Sequence, residues 1–121
     1  MKNLFFVLIT SISTYSLAAD YTNGEILYFQ KGCTPCHGIK AQGRHTFPKL
    51  ANIQDFKLRN KIDAYRADKI KTPQASVMTT YAKNLTESEI EDLVLYLSTY
   101  KEEVSDEQYD DSYQEWGDGG S

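Results

Sequence analysis

Both cysteines of the chain, Cys33 and Cys36, are separated only by Thr34 and Pro35, and His37 follows directly. A disulfide between them would close almost no loop, so it would gain little from chain entropy. Two thiols placed this way serve chemistry. Cys-x-x-Cys-His is the attachment sequence of c-type haem. The spacing has a mechanical reason: two intervening residues let both sulfurs meet the two vinyl-derived carbons on one edge of a macrocycle, and the next residue then lies beneath the iron. Two other chemistries use such cysteines. A thioredoxin-like redox pair would suit Pro35, but that fold needs βαβ patterning, and no period-2 run bounded by turns occurs here. A zinc site built from Cys33, Cys36, His37 and His45 would crowd its ligands and lacks the usual second pair.

A bound macrocycle also answers a shortage. Between Asp20 and Tyr100 there are 19 large aliphatic, Phe or Met side chains and six tyrosines. Domains of this size are marginal by buried area alone, and a large apolar group at the centre supplies what the side chains do not. Where apolar residues recur they do so at helical spacing, which makes all-α the expected class. Thr22 with Glu25 predicts a capping box, and Tyr21 with Ile26 a hydrophobic staple, for a first helix to about Lys31. Leu58, Ile62 and Tyr65 mark a second helix over about 54–67. Thr86 with Glu89 and Leu85 with Ile90 repeat both signals before a third helix, whose buried stripe is Ile90, Leu93, Val94 and Leu97. Residues 32–48 read as loop around the cysteines, and the segment after Pro73 as a polar loop carrying Val77 and Met78.

The ends of the chain differ from this body. Lys2, the apolar run Leu4–Ile9 and the small-residue exit Ser16-Leu17-Ala18-Ala19 predict a signal peptide over residues 1–19, cleaved after Ala18 or Ala19. The apolar run is far shorter than the roughly 20 residues of a spanning helix, and no cysteine stands at the exit to carry a lipid. The expected location is the periplasm, with no membrane span after cleavage. Residues 20–100 form the expected domain and hold eleven bases against nine acids; residues 101–121 hold eight acids against Lys101 alone. That composition predicts a solvated, poorly ordered acidic tail. The net charge of -4 argues against nucleic acid as a partner, which would call for a basic excess.

Iron held by His37 has a second face to fill. Met78 is the one methionine downstream of the signal segment and lies 41 residues after His37. A thioether there stabilises ferrous iron and raises the potential, although methionine also fills gaps in cores. His45 is the rival, eight residues from His37 and so expected on the same side. An open or lysine-ligated iron is the remaining alternative.

Taken together, Gly24-Glu25-Ile26-Leu27-Tyr28, the run Gly32 to Gly38 around the cysteines, Phe47-Pro48-Lys49-Leu50-Ala51, and Met78 followed by Leu85 to Ile90 and Leu93 to Leu97 resemble the class I c-type cytochromes, in the right order over about residues 22–100. The resemblance implies about three main helices wrapped around one covalent haem c bound through Cys33 and Cys36. It also implies His37 and Met78 as axial ligands, and a Pro48 carbonyl that accepts the Nδ1 proton of His37. Gly24 and Tyr28 would cross the last helix near Tyr96, glycine allowing close approach. Ile62-Asp63-Ala64-Tyr65-Arg66 is loosely similar to small cytochrome subunits of flavocytochrome sulfide dehydrogenases. A single haem motif excludes a diheme protein.

A haem closed on both faces leaves no room for substrate, so the expectation is a one-electron carrier and not an enzyme, passing electrons between a redox-protein donor and acceptor. The alternative is a cytochrome subunit docked on a dehydrogenase or other oxidoreductase complex; a haem sensor is a third reading. The segment Lys57–Lys71, with six bases and two acids, suits either a docking surface for such partners or a solvated helix face. Arg44, Tyr65 and Tyr81 are candidates to bond haem propionates.

Overall fold

The computed structural model describes residues 18–102, and the expected signal segment before residue 18 and the acidic tail from residue 103 lie outside the described residues. Five helices follow one another: α1 (Tyr21–Gln30), α2 (Thr34–His37), α3 (Asp55–Arg66), α4 (Ala75–Lys83) and α5 (Glu87–Ser98). Among the described residues there is no strand, only an isolated bridge between Arg44 and Phe47. The all-α class is borne out. The three helices expected from apolar spacing are α1, α3 and α5; α2 and α4 are additions in stretches expected to be loop.

The long α1–α5 contact organises the domain. Leu27 and Tyr28 of α1 meet Ile90, Leu93, Tyr96 and Leu97 of α5 in one core that also takes in Leu58 of α3. A Cβ on Gly24 would stand 2.1 Å from the carbonyl oxygen of Asp92 and 2.8 Å from the Cβ of Tyr96. Only glycine lets the two backbones come this close. Tyr96 then sits between aromatic neighbours, with ring centroids 5.1 Å from Tyr21, 5.8 Å from Tyr28 and 5.7 Å from Tyr100.

The start of α1 differs from the expected capping box. Asp20, not Thr22, is the N-cap: its carboxylate accepts from the amide of Asn23 at 3.0 Å. The Tyr21–Ile26 staple is not formed either, because Ile26 is exposed and Tyr21 packs edge-on against Tyr96. At α5 the local signal holds. Thr86 accepts from the amide of Glu89, and Glu89 accepts in return from the amide of Thr86. The latter bond, ahead of Lys31 3.2 Å away, holds the Glu89 carboxyl below its usual range.

α3 lies on α5 through buried Leu58 and through charge. Arg59 reaches Asp63 at 3.2 Å and also pairs with Glu87 and Glu91, while Arg66 pairs with Glu87. The principal helix contact of α4 is with α3, closed at one end by Lys83 and Asp68 at 2.6 Å. α4 is helical because Ala75, Met78, Thr79 and Ala82 recur at i, i+3, i+4 and i+7 and turn inward together.

Candidate haem site

The attachment segment folds as a single helical turn. Cys33 is the N-cap of α2, Pro35 stands in the first turn where its missing N–H costs nothing, and Gly38 ends the turn at φ +92°. The amide of His37 donates to the carbonyl of Cys33 at 3.0 Å, and that of Gly38 to Thr34 at 2.8 Å. Positions 33 and 36 therefore neighbour each other on one face of the turn. Both thiols are free and half-buried.

One residue pins this turn at both ends, through its backbone carbonyl and its side chain. The amide of Cys33 donates to the carbonyl of Tyr28 at 3.2 Å, and the Tyr28 hydroxyl donates to the carbonyl of Gly38 at 2.6 Å. Tyr28 is fully buried. Burial, more than the neighbouring Cys33, raises its pKa well beyond the usual phenol range, so it remains a neutral donor. Burial, then Cys36, pushes the Cys33 thiol up to about 11; a thioether has no such titration.

His37 is buried, and its Nδ1 lies 2.9 Å from the carbonyl oxygen of Pro48. A carbonyl only accepts, so Nδ1 carries the proton and Nε2 keeps a lone pair for a metal. The loop that brings Pro48 there is folded back on itself. The amide of Gly43 donates to His37 at 2.8 Å, and those of Leu50 and Ala51 donate to Ala41 at 2.9 and 3.0 Å. Gly43, at φ +81°, is needed at the return: a Cβ there would stand 2.8 Å from both the Phe47 oxygen and the Lys49 nitrogen. The Phe47 ring stands edge-on to His37, 6.3 Å between centroids.

Met78 is half-buried on α4, which corrects its expected placement in a loop. A helical turn fixes its direction more firmly than a flexible loop would. His45 is exposed, at φ +50° in the turn between Arg44 and Phe47, on the same loop as Pro48. Among the described residues no three His, Cys, Asp or Glu side chains gather to hold a metal unaided, so the zinc alternative is not assembled; with no strand among those residues, neither is the thioredoxin one. Of the propionate candidates, Arg44 reaches the carbonyl of Pro35 at 3.5 Å, the exposed Tyr81 ring lies near Gly32, and Tyr65 is half-buried on α3. The basic segment is less uniform than its composition: Arg59 and Arg66 engage carboxylates of α5, while Lys57, Lys61, Lys69 and Lys71 are exposed.

These donors fit a c-type haem. Two free thiols occupy one helical face, one imidazole has its Nδ1 already committed, and Phe47, Val77 and Tyr81 present large exposed apolar surfaces beside His37, Met78 and Gly32. Sequence reasoning had not singled out Asp92, a buried carboxylate on α5 that accepts from the backbone of Asp20 and the side chain of Asn23; an aspartate inside an apolar stripe was the available signal.

Helices of this order, joined through a covalent haem site at the first turn after α1, define a c-type haem protein. Residues 21–101 match the cytochrome c family model, and the chain belongs to that family. It is 30% identical over 92 residues to cytochrome c-554(547) of Halothiobacillus neapolitanus, covering 69% of this chain and 100% of that protein. It is 34% identical over 68 residues to cytochrome c-554(548) of Halomonas halodenitrificans, covering 55% of this chain and 82% of the other. The structure of cytochrome c4 from Acidithiobacillus ferrooxidans shares the fold, with a TM-score of 0.59 and 23% identity over 72% of this chain. The chain spans about half, 53%, of that protein's length. The class I fold and one haem c bound through Cys33 and Cys36 follow, and with them an electron carrier in place of an enzyme. None of these three carries the name of a sulfide dehydrogenase subunit, and that finer likeness gains nothing from them. Among the described residues no helix is long and apolar enough to cross a membrane.

Proposed function

We propose that this cytochrome is an exported, periplasmic one-electron carrier whose iron is held by His37 and Met78, with residues 1–19 removed on export and residues 101–121 retained as an acidic tail. The observation that carries the reading is the 2.9 Å contact between His37 Nδ1 and the Pro48 carbonyl. That contact leaves Nε2 as the metal-binding atom and orients the ring before any ligand arrives. Met78 on α4 supports the second position, because it is half-buried on a helix whose neighbouring residues Val77 and Tyr81 offer apolar surface.

When bound, the haem supplies a one-electron couple whose potential a His/Met pair raises. The chain's own part is to hold still. Tyr28 clamps the attachment turn, Pro48 fixes the tautomer of His37, and the helical setting of Met78 keeps the thioether in one place, so little moves when the charge changes by one. Donor and acceptor are redox proteins met through weak, salt-dependent contact; the exposed lysines at 57, 61, 69 and 71 and the exposed Ile39 beside the attachment turn suit such contact.

The test is intact mass together with the visible spectrum of protein recovered from the periplasm. One haem per chain, loss of the leader and a methionine-to-iron band that disappears in Met78→Ala are expected. An unchanged spectrum in that variant would remove Met78 from the iron, and carbon monoxide binding by the reduced native protein would count against a closed site.

A further inference from the structure

Asp92 is 6% exposed, and both its oxygens are engaged: Oδ1 accepts from the backbone nitrogen of Asp20 at 2.7 Å and Oδ2 from Asn23 Nδ2 at 2.6 Å. No basic side chain pairs with it among the described residues; the ion pairs there use other carboxylates. A buried carboxylate with two neutral donors and no cation is an expensive arrangement. Its nearest backbone donor is the nitrogen of the residue after Ala19, at the end of the small-residue exit.

The structure assigns the processing site to the Ala19–Asp20 bond and makes Asp92 the acceptor for the amino terminus that cleavage there creates. This rests on the reading of residues 1–19 as an export leader. Hydrolysis by a leader peptidase adds one water across the amide. The Ala19 acyl carbon departs with the leader as a carboxylate, and the Asp20 nitrogen, taking up a proton, becomes an ammonium. A neutral donor 2.7 Å from Asp92 thereby becomes the missing cation, and the contact becomes a charge-assisted hydrogen bond. Cleavage after Ala18 would set the charge one residue, about 3.8 Å, further along the chain and leave an ordinary amide against Asp92.

The position is informative in a second way. A positive charge at the start of a helix opposes its dipole, so an ammonium directly before α1 would ordinarily destabilise it. Two carboxylates answer it: Asp92 across the crossing, and the side chain of Asp20 itself, which caps the Asn23 amide at 3.0 Å. Asp92 lies in the same stretch of α5 that Gly24 approaches. Removal of the leader therefore adds a charge pair to the α1–α5 crossing.

Terminal sequencing and denaturant unfolding of haem-loaded, exported protein test this. The native chain is expected to begin at Asp20. One glycine inserted between Ala19 and Asp20, with cleavage before it confirmed by mass, is expected to lower the folding constant about fivefold, because the neutral Asp20 amide still donates to Asp92 and only the surplus of a charge-assisted hydrogen bond over a neutral one is lost. The same insertion in Asp92→Asn is expected to cost less than about twofold. Equal losses in the two backgrounds would overturn the pairing. Should Asp92→Asn not accumulate, amine-selective labelling of the two terminal forms at neutral pH decides: the native terminus is expected to react about tenfold more slowly, as an ammonium stabilised by a carboxylate does, and equal rates would overturn the pairing. Haem-loaded protein beginning at any other residue overturns this assignment alone; protein recovered with its leader attached overturns the export reading as well.

Discussion

Replacing Gly24 by alanine tests the packing that places the haem site. The new methyl would stand 2.1 Å from the Asp92 oxygen and 2.7 Å from its carbonyl carbon, where ordinary contact begins near 3.4 Å. Both atoms are backbone, so no rotamer change relieves the clash, and α1 and α5 must separate by up to about 1.3 Å, the shortfall between 2.1 and 3.4 Å. Overpacking of this kind costs up to about 3 kcal/mol. Alanine's better helix propensity returns about 1 kcal/mol, leaving a net loss of about 2 kcal/mol. For a domain of this size that lowers Tm by about 8–16 °C. The assay is a thermal melt of the oxidised holoprotein followed by far-UV circular dichroism, with haem content checked first. A Tm equal to or above that of the native protein, as alanine gives at a solvent-facing helical glycine, would refute the close crossing.

Three other outcomes are expected. Tyr28→Phe removes the donor to the Gly38 carbonyl and should cost about 1–3 kcal/mol in denaturant unfolding. Because burial raises the pKa of Tyr28 in the folded state, native stability should hold below the unfolded tyrosine value of about 10 and fall as pH rises above it; Tyr28→Phe should flatten that alkaline loss. Thr86→Ala removes the N-cap of α5 and should cost about 1 kcal/mol, visible as a Tm lower by about 4–8 °C. Glu87, held below the usual carboxylate range first by Arg66 and then by Arg59, contributes stability that is present above the ordinary glutamate value of about 4.3 and lost as pH falls. Glu87→Gln should reduce both that acid sensitivity and the dependence of Tm on added salt, and an unchanged salt dependence would show that the cluster is energetically silent.

Much of the site was legible because its signals are local. The cysteine–histidine run needs no partner elsewhere to be read, and the box at Thr86 and Glu89 closes within three residues of its own chain. The contact between Gly24 and the last helix was anticipated from the family likeness and from the cost of glycine inside a helix. Where local reasoning failed, a distant group had intervened. Thr22 and Glu25 offered a satisfactory cap, but the chain starts its helix at Tyr21 because Asp20 and Asn23 are both drawn to Asp92, 72 and 69 residues away. Met78 was expected in a loop because Pro73 interrupts the chain just before it. The helix simply begins at Ala75, two residues past the proline, and its inward stripe packs on α3.

By itself, then, the order of residues determined the covalent chemistry, the all-helical class and the caps that close on near neighbours, since each depends on spacing within a turn or two. Tertiary structure decided which carbonyl receives His37, which residue begins α1, what clamps the attachment turn and what Asp92 holds. Asp92 reaches Asp20 and Asn23 from 72 and 69 residues away, across a crossing that Gly24 keeps close, while the bonds from Tyr28 to Gly38 and from His37 to Pro48 span 10 and 11 residues and form only once the loop after the cysteines has folded back.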